Sequence, residues 1–225
     1  MMSFFPHSIL CVHGWAQSPD FWAPLGVVLE KPEALCLLDR GYFGSPCLPS
    51  LPRDAGIKGI VTHSFGLHLI PDVWLKQADF IVIVAGFNSF LPADRSRRRR
   101  SERILYLMQK KLKENPEALV ALFRRLCGQK ENLRSGFVNT ALMAEDLQNL
   151  AHSRLDLDLF LKIPVIHIIH GRQDKVVDAS RAEELQAALP HARLHMVEDG
   201  DHGIPLTHAE MLGELAACAI GECRS

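Results

Sequence analysis

A serine that is to attack a carbonyl needs a base to take its proton and a carboxylate to orient that base. The chain offers residues of each type where apolar runs give way to turns. Ser64 lies in Gly59-Ile-Val-Thr-His-Ser64-Phe-Gly66-Leu-His-Leu, Asp174 just beyond Ile168-Ile169-His170-Gly171, and His202 just beyond Val197-Glu198-Asp199-Gly200-Asp201. A sharp strand-to-helix turn around a serine wants small residues two positions to either side, because side chains there collide. Gly66 meets that requirement; Thr62 is bulkier. Alone, a T-x-S-x-G match reads equally as an ordinary strand and turn. The order serine, acid, histidine, with acid and histidine following consecutive strand-like runs, gives it weight. The chemistry expected is acyl transfer, with Ser64 as nucleophile, His202 as base and Asp174 as the orienting carboxylate.

Rivals for these roles have plainer readings. Asp178 suits the start of the helix that follows it, and Asp199 and Asp201 sit too close to His202 in a tight turn to reach its Nδ1. His13, His63, His167 and His170 flank strand ends, where a packed or solvated histidine is the simpler reading. His167 and His170 are three apart on a strand and so face opposite ways, which argues against a two-histidine metal site. No metal or cofactor motif stands out. An oxyanion formed on the substrate needs preorganised donors. The backbone N–H of Phe65, just after the serine, and that of Trp15, in the His13-Gly14-Trp15 turn, are the candidates; Trp15 reads also as a core residue.

Six strand-like runs can position these residues: 8–12, 34–38, 59–61, 80–85, 164–169 and 192–197. Most are continuous rather than alternating in apolar character, as in parallel strands buried on both faces. Helical patterns over 180–189 and 207–220 complete a β-α-β rhythm and predict a doubly wound, mostly parallel α/β sheet with helices on both faces. Two stretches break it. Residues 41–58 are proline-rich with no helical period. Residues 90–160 show helical segments without a strand, including Asn115-Pro116 through Cys127 with Asn115 as a cap. The organisation expected is a core of residues 1–89 and 161–225 with a helical lid, 90–160, inserted over the carboxyl edge of the sheet, where such sheets bind ligands.

The 225 residues are 48% hydrophobic and 23% charged with net charge −1, ordinary globular composition that excludes a disordered or collagen-like chain. No apolar run reaches the roughly 18 residues of a membrane helix. Cys11, Cys36, Cys47, Cys127, Cys218 and Cys223 form no CxxC pair and read as free thiols; with no basic n-region at the start, a cytoplasmic location is expected. The near-zero charge hides a segregation. Residues 90–134 hold thirteen Lys or Arg against five Asp or Glu, a surplus of eight positive charges, while the remainder holds twelve against twenty-one. Arg97, Arg98, Arg99, Arg100 and Arg103, with Arg124 and Arg125 further on, read either as a solvated helix face or as a docking surface for an acidic partner. The run lacks interleaved aromatics, which weakens a nucleic-acid reading.

The chain resembles the α/β-hydrolases: His13-Gly14-Trp15 after the first strand, Asp39-Arg-Gly-Tyr-Phe-Gly-Ser-Pro46 in place of a D-x-x-G-x-G-x-S turn, then elbow, acid and histidine in order. Within that superfamily it most resembles the carboxylesterases of biotin synthesis that demethylate pimeloyl-[acyl-carrier protein] methyl ester. Gly14-Trp-Ala-Gln-Ser-Pro-Asp-Phe-Trp22, Glu114-Asn-Pro-Glu-Ala-Leu119 with Phe123-Arg-Arg-Leu-Cys127, and Asp156-Leu-Asp with Ile163-Pro-Val165 carry the resemblance; Thr62-His63 stand where that family has Gly-Trp. The resemblance implies a serine carboxylesterase without cofactor, an acyl pocket lined by Trp15, Ser64, Phe65, Phe123 and His202, and an acyl carrier protein held by the lid arginines. Two alternatives stand beside it. One is a hydrolase of small esters or acyl thioesters; the other is a hydrolase-fold protein that binds without turnover.

Overall fold

The computed structural model describes residues 7–30, 32–50, 56–129 and 137–224. Six strands, β1 (His7–Val12), β2 (Leu35–Leu38), β3 (Ile57–His63), β4 (Phe80–Val84), β5 (Val165–Gly171) and β6 (Arg193–Val197), form one sheet in the order β2-β1-β3-β4-β5-β6, every neighbouring pair parallel. The β3 run extends beyond the core predicted for it, because residues 57–62 pair with β1 along its whole length.

Side chains alternate between the two faces. Ile9 and Cys11 point into one apolar cluster with Trp22, Val82 and Leu212, and Leu10 and Val12 into the other with Trp74, Ile83 and Leu185. Burial on both faces explains why these strands read as unbroken apolar runs. Helices α1 (Ala23–Val28), α8 (Ile204–Thr207) and α9 (Ala209–Glu222) supply residues to the first cluster; α2 (Asp72–Leu75), α6 (Leu157–Phe160) and α7 (Ser180–Ala188) supply the second. The terminal helix differs from the single element expected over 207–220. Thr207 closes α8, where its hydroxyl donates to the Gly203 carbonyl, and His208 takes a non-helical φ of −132° before α9 begins. No helix among the described residues is long and apolar enough to cross a membrane, and all six cysteines are free thiols.

Between β4 and β5 lie α3 (Arg95–Glu114), α4 (Pro116–Leu126) and α5 (Thr140–His152), followed by α6. Their starts are written in the sequence. Asp94 accepts from Arg97 N–H at 2.8 Å, Asn115 from Ala118 N–H at 2.9 Å with Pro116 in the first turn, and Asn139 from Leu142 N–H at 3.1 Å. Each short polar side chain satisfies a donor that has no partner in its own helix.

One buried carboxylate fastens this segment to the sheet. Asp146, in α5 and fully buried, accepts two bonds at 2.9 Å from the Arg40 guanidinium and one at 2.7 Å from the Tyr42 hydroxyl. Both partners lie in the loop after β2, which an antiparallel bridge between Asp39 and Cys47 holds closed. A second tie runs from the Trp15 indole N–H to the Met143 carbonyl at 3.1 Å. Replacing Asp146 by Ala strands a partly buried guanidinium and a buried phenol, a change that typically costs about 3–5 kcal/mol. D146A is expected to lower the urea midpoint by a corresponding amount, and a shift under about 1 kcal/mol would show that the anchor is not structural.

Candidate functional site

The site gathers where β1, β3, β5 and β6 end. Ser64 follows β3 directly and opens a tight helical turn, Ser64–His68, at φ +53°. That is the left-handed region, which side-chain-bearing residues enter at a cost of about 1–3 kcal/mol and which clusters at functional sites. The turn fits because Gly66 has no Cβ: one there would stand 2.5 Å from the Val12 carbonyl oxygen and 2.6 Å from that of His13. Thr62 does not obstruct the turn. It is fully buried, its hydroxyl makes no protein hydrogen bond, and Ser64 still takes the strained conformation.

Asp174 and His202 arrive from two loops pressed together. A Cβ on Gly171 would lie 2.1 Å from the Gly200 carbonyl oxygen, so the end of β5 and the turn after β6 touch backbone to backbone. Across this contact, His202 Nδ1–H donates to Asp174 Oδ2 at 2.7 Å, and both side chains are fully buried. The other carboxylate oxygen accepts from the N–H groups of Val176 and Val177 at 2.7 and 2.8 Å. Burial pushes the Asp174 carboxyl up; the charge and hydrogen bond of His202, then His170 and the backbone donors, outweigh it and hold the group below its ordinary value. His202 Nε2 is buried without a hydrogen-bond partner, so the ring has one nitrogen fixed and one open. The rival acids are occupied elsewhere: Asp178 accepts from Ser180 N–H, Asp201 from Gly203 N–H, and Asp199 pairs with His208.

Two histidines whose sequence positions suggested only packing turn out to surround this pair. His63 Nε2–H donates to the His202 backbone carbonyl at 2.8 Å, and the two rings lie 4.7 Å apart. His170 Nε2 is 3.4 Å from the Asp174 oxygen that receives His202 and bonds the Val177 carbonyl at 3.0 Å. The only signal in the sequence was adjacency, one residue before Ser64 and four before Asp174. His13 is structural: its Nδ1–H donates to the Gly14 carbonyl and its Nε2 accepts from Arg40 N–H.

Above Ser64 opens a cavity of about 260 Å³. Trp15, Ser64, Phe65 and Phe123 line it, together with Phe87 and Leu147 and with Ile104, Leu107, Leu122 and Leu126 of α3 and α4; His202, also expected there, does not. His202 lies behind Phe123, the rings edge to face with centroids 6.2 Å apart, and Trp15 meets Phe123 likewise at 5.0 Å. The N–H groups of Trp15 and Phe65 donate to no other described group. The arginines divide. Arg97, Arg98, Arg99, Arg100 and Arg103 are exposed on α3; Arg97 reaches Ser180 Oγ at 3.0 Å, Arg98 pairs with Glu102, and Arg103 lies over the Tyr106 ring. On α4, Arg125 is exposed, while Arg124 turns inward over the Phe43 ring and bonds Gln129. A second groove, shared with the cavity through Phe90, Ile104 and Val177, is lined by Arg97 and Arg100.

The same architecture recurs in solved structures. The chain superposes on a bromoperoxidase from Bacillus anthracis with TM-score 0.74 at 15% identity, covering 96% of this chain and 92% of that one. For an esterase from Exiguobacterium antarcticum the values are 0.73, 14%, 97% and 92%; for an enol-lactonase from Burkholderia xenovorans, 0.71, 13%, 98% and 94%. The chain has the α/β-hydrolase fold. No family model matches its sequence, and no curated protein sequence does. In the α/β-hydrolase fold, the strained serine after β3 and the loops after β5 and β6 occupy the carboxyl edge of the sheet, where open α/β sheets bind ligands.

The histidines make stability depend on acid. Burial drives His68 down to about 4, against its bond to the Phe87 carbonyl. Burial lowers His63 well below its ordinary value, with the charge of His202 adding, and lowers His170 against the pull of Asp174. These rings are neutral when folded and bind protons more readily when unfolded, so their contribution is complete above pH 6.5 and declines as pH falls below it. His68 alone accounts for up to about 3 kcal/mol lost by pH 4. Urea unfolding of wild type and His68→Gln across pH 7 to 4 is expected to show a shallower decline in the variant; parallel curves would contradict this assignment.

Proposed function

We propose that the chain is a serine carboxylesterase with Ser64, His202 and Asp174 as its catalytic triad. The observations that carry this reading are a serine held at positive φ at the end of β3 and, at the same edge of the sheet, a buried histidine whose Nδ1–H is fixed by a buried carboxylate and whose Nε2 is left open. His202 Nε2 removes the Ser64 proton as Oγ attacks the ester carbonyl, and the oxyanion accepts from the N–H groups of Phe65 and Trp15. The protonated ring, its charge balanced by Asp174, gives its proton to the leaving alkoxide, and the alcohol departs. His202 then takes a proton from water, whose oxygen attacks the acyl-serine; collapse releases the acid and restores Ser64.

The apolar lining, from Trp15 and Phe123 to Leu122 and Leu126, supports an aliphatic acyl group as the part of the substrate that binds. For the finer identity we propose the methyl ester of a dicarboxylic acyl chain on an acidic carrier protein, pimeloyl-acyl-carrier protein as the resemblance implies. Its support is the exposed arginine face of α3 next to the cavity, with Arg97 and Arg100 lining the groove that joins it. Charge complementarity at such a rim sets encounter rate and orientation.

The test has two levels. A fluorophosphonate probe should label wild type and not Ser64→Ala, and Ser64→Ala should lose at least about a thousandfold in hydrolysis of p-nitrophenyl esters. Labelling that persists in the variant would place the nucleophile elsewhere than Ser64, and none in wild type would leave a binding protein. Reversing Arg97 to Arg100 to Glu should lower the ratio of carrier-bound to p-nitrophenyl ester turnover by about tenfold or more at low salt. An unchanged ratio, or no turnover of the carrier-bound ester by wild type, would retain the esterase acting on small esters or thioesters and discard the carrier.

A further inference from the structure

We infer that His167, Cys218 and Glu222 form a binding site for a thiophilic divalent cation, of which zinc is the type, on the face of the sheet covered by α9. Alternation along β5 points His167 to that face and His170 to the other. Cys218 and Glu222 stand at i and i+4, one turn apart on the same side of α9. Sequence spacing gave no sign of this, since the histidine precedes the pair by some fifty residues.

The donor atoms converge. His167 Nε2 lies 3.5 Å and Cys218 Sγ 3.3 Å from the same Glu222 oxygen, and all three ligating atoms fall within 4.8 Å of one another. Tetrahedral zinc, with bonds of about 2.0–2.3 Å, separates its ligand atoms by about 3.3–3.7 Å, so two of the three edges are already at that length. The third closes by a small turn of Cys218, which is at the surface.

An independent observation marks the site. His167 is 1% exposed, and its Nε2 makes no hydrogen bond of ordinary geometry but faces the Glu222 carboxylate at 3.5 Å. Its other nitrogen is 3.0 Å from Nε2 of His195, with the rings stacked. When His167 Nδ1–H donates along that contact, the lone pair on Nε2 points at Cys218 and Glu222. Metal-bound histidines are oriented by just such a bond on the far nitrogen.

Arg193 also donates to Glu222. It offsets one of the two negative charges that thiolate and carboxylate bring. One sulfur, one imidazole and one carboxylate oxygen suit zinc and its neighbours rather than calcium or magnesium, which take oxygen ligands. Water completes the fourth position. Binding displaces the Cys218 thiol proton and links α9 to β5, so bound metal favours the folded state by mass action.

The full chain, stripped of metal by a chelator, is titrated with Co²⁺ and with Zn²⁺. One Co²⁺ per chain should bind with a thiolate-to-metal charge-transfer absorption in the near ultraviolet. Cys218→Ser should abolish that absorption, and Cys47→Ser should keep it. Glu222→Gln should weaken Zn²⁺ affinity by about tenfold or more, a ligand mattering at least as much as its outer partners. Zn²⁺ should raise the melting temperature of wild type and not of Cys218→Ser, whose unchanged melting in chelator shows that it folds. Absence of Zn²⁺ binding at micromolar concentration, or a charge-transfer absorption that survives Cys218→Ser, would overturn the site.

Discussion

A backbone that must turn sharply at Ser64 while two strands press against it constrains everything around the site. Ser64 can sit at φ +53° only because β1 and β3 are hydrogen-bonded neighbours in mid-sheet and the carbonyls of Val12 and His13 come to rest against Gly66. Parallel pairing aligns the carboxyl ends of all six strands, so the loops after β1, β3, β5 and β6 emerge at one edge. The cost of the left-handed residue is met by the continuous apolar burial of β3 and β4 beneath it. Displacing the serine would require moving the centre of the sheet, and rigid elements hold sites more closely than loops do.

Electrostatics at this edge rest on one carboxylate. Asp174 is fully buried, a state an ion tolerates only when hydrogen bonds and charge replace water. Two backbone N–H groups hold one oxygen; His202 holds the other, with His170 close by. The second histidine matters because burial lowers its proton affinity, leaving a neutral ring beside the carboxylate. The second histidine therefore adds no positive charge beside Asp174. His63 acts on the same ring from behind, through the backbone carbonyl. It is held neutral by burial, so it adds a donor without adding a like charge to the site.

How far the sequence could be read follows from the range of the interactions involved. Continuous apolar runs, turn glycines and the Asn115-Pro116 start are local signals, and they gave the parallel sheet, the order of its elements and the helices between β4 and β5. That Ser64, Asp174 and His202 belong to loops at one edge was legible because parallel topology turns three positions along the chain into three positions along that edge. What sequence could not show needed contacts across the fold. His63 over His202, His170 beside Asp174, and Asp146 gripping Arg40 and Tyr42 are pairings between elements. So is the inward turn of Arg124, which shared a charge count with the α3 arginines but packs on Phe43.

The division of labour along β5 follows from the same geometry. Its carboxyl end feeds the loop of Asp174, while His167, four residues from that end, lies under α9 with Glu222 and Cys218. At about 3.3 Å per residue the two are separated by roughly 13 Å of rigid, doubly paired strand. A strand held on both sides does not flex to carry one event to the other. Changes at the α9 end should therefore register in how firmly the last helix is held rather than in the orientation of His202. The helices between β4 and β5 stand in the opposite position. They touch the cavity directly, carry most of the positive surplus of residues 90–134, and are fastened to the core through Asp146 and the Trp15 indole. The lining of the cavity can thus vary with α3 and α4 while the carboxyl edge that holds Ser64, Asp174 and His202 stays fixed.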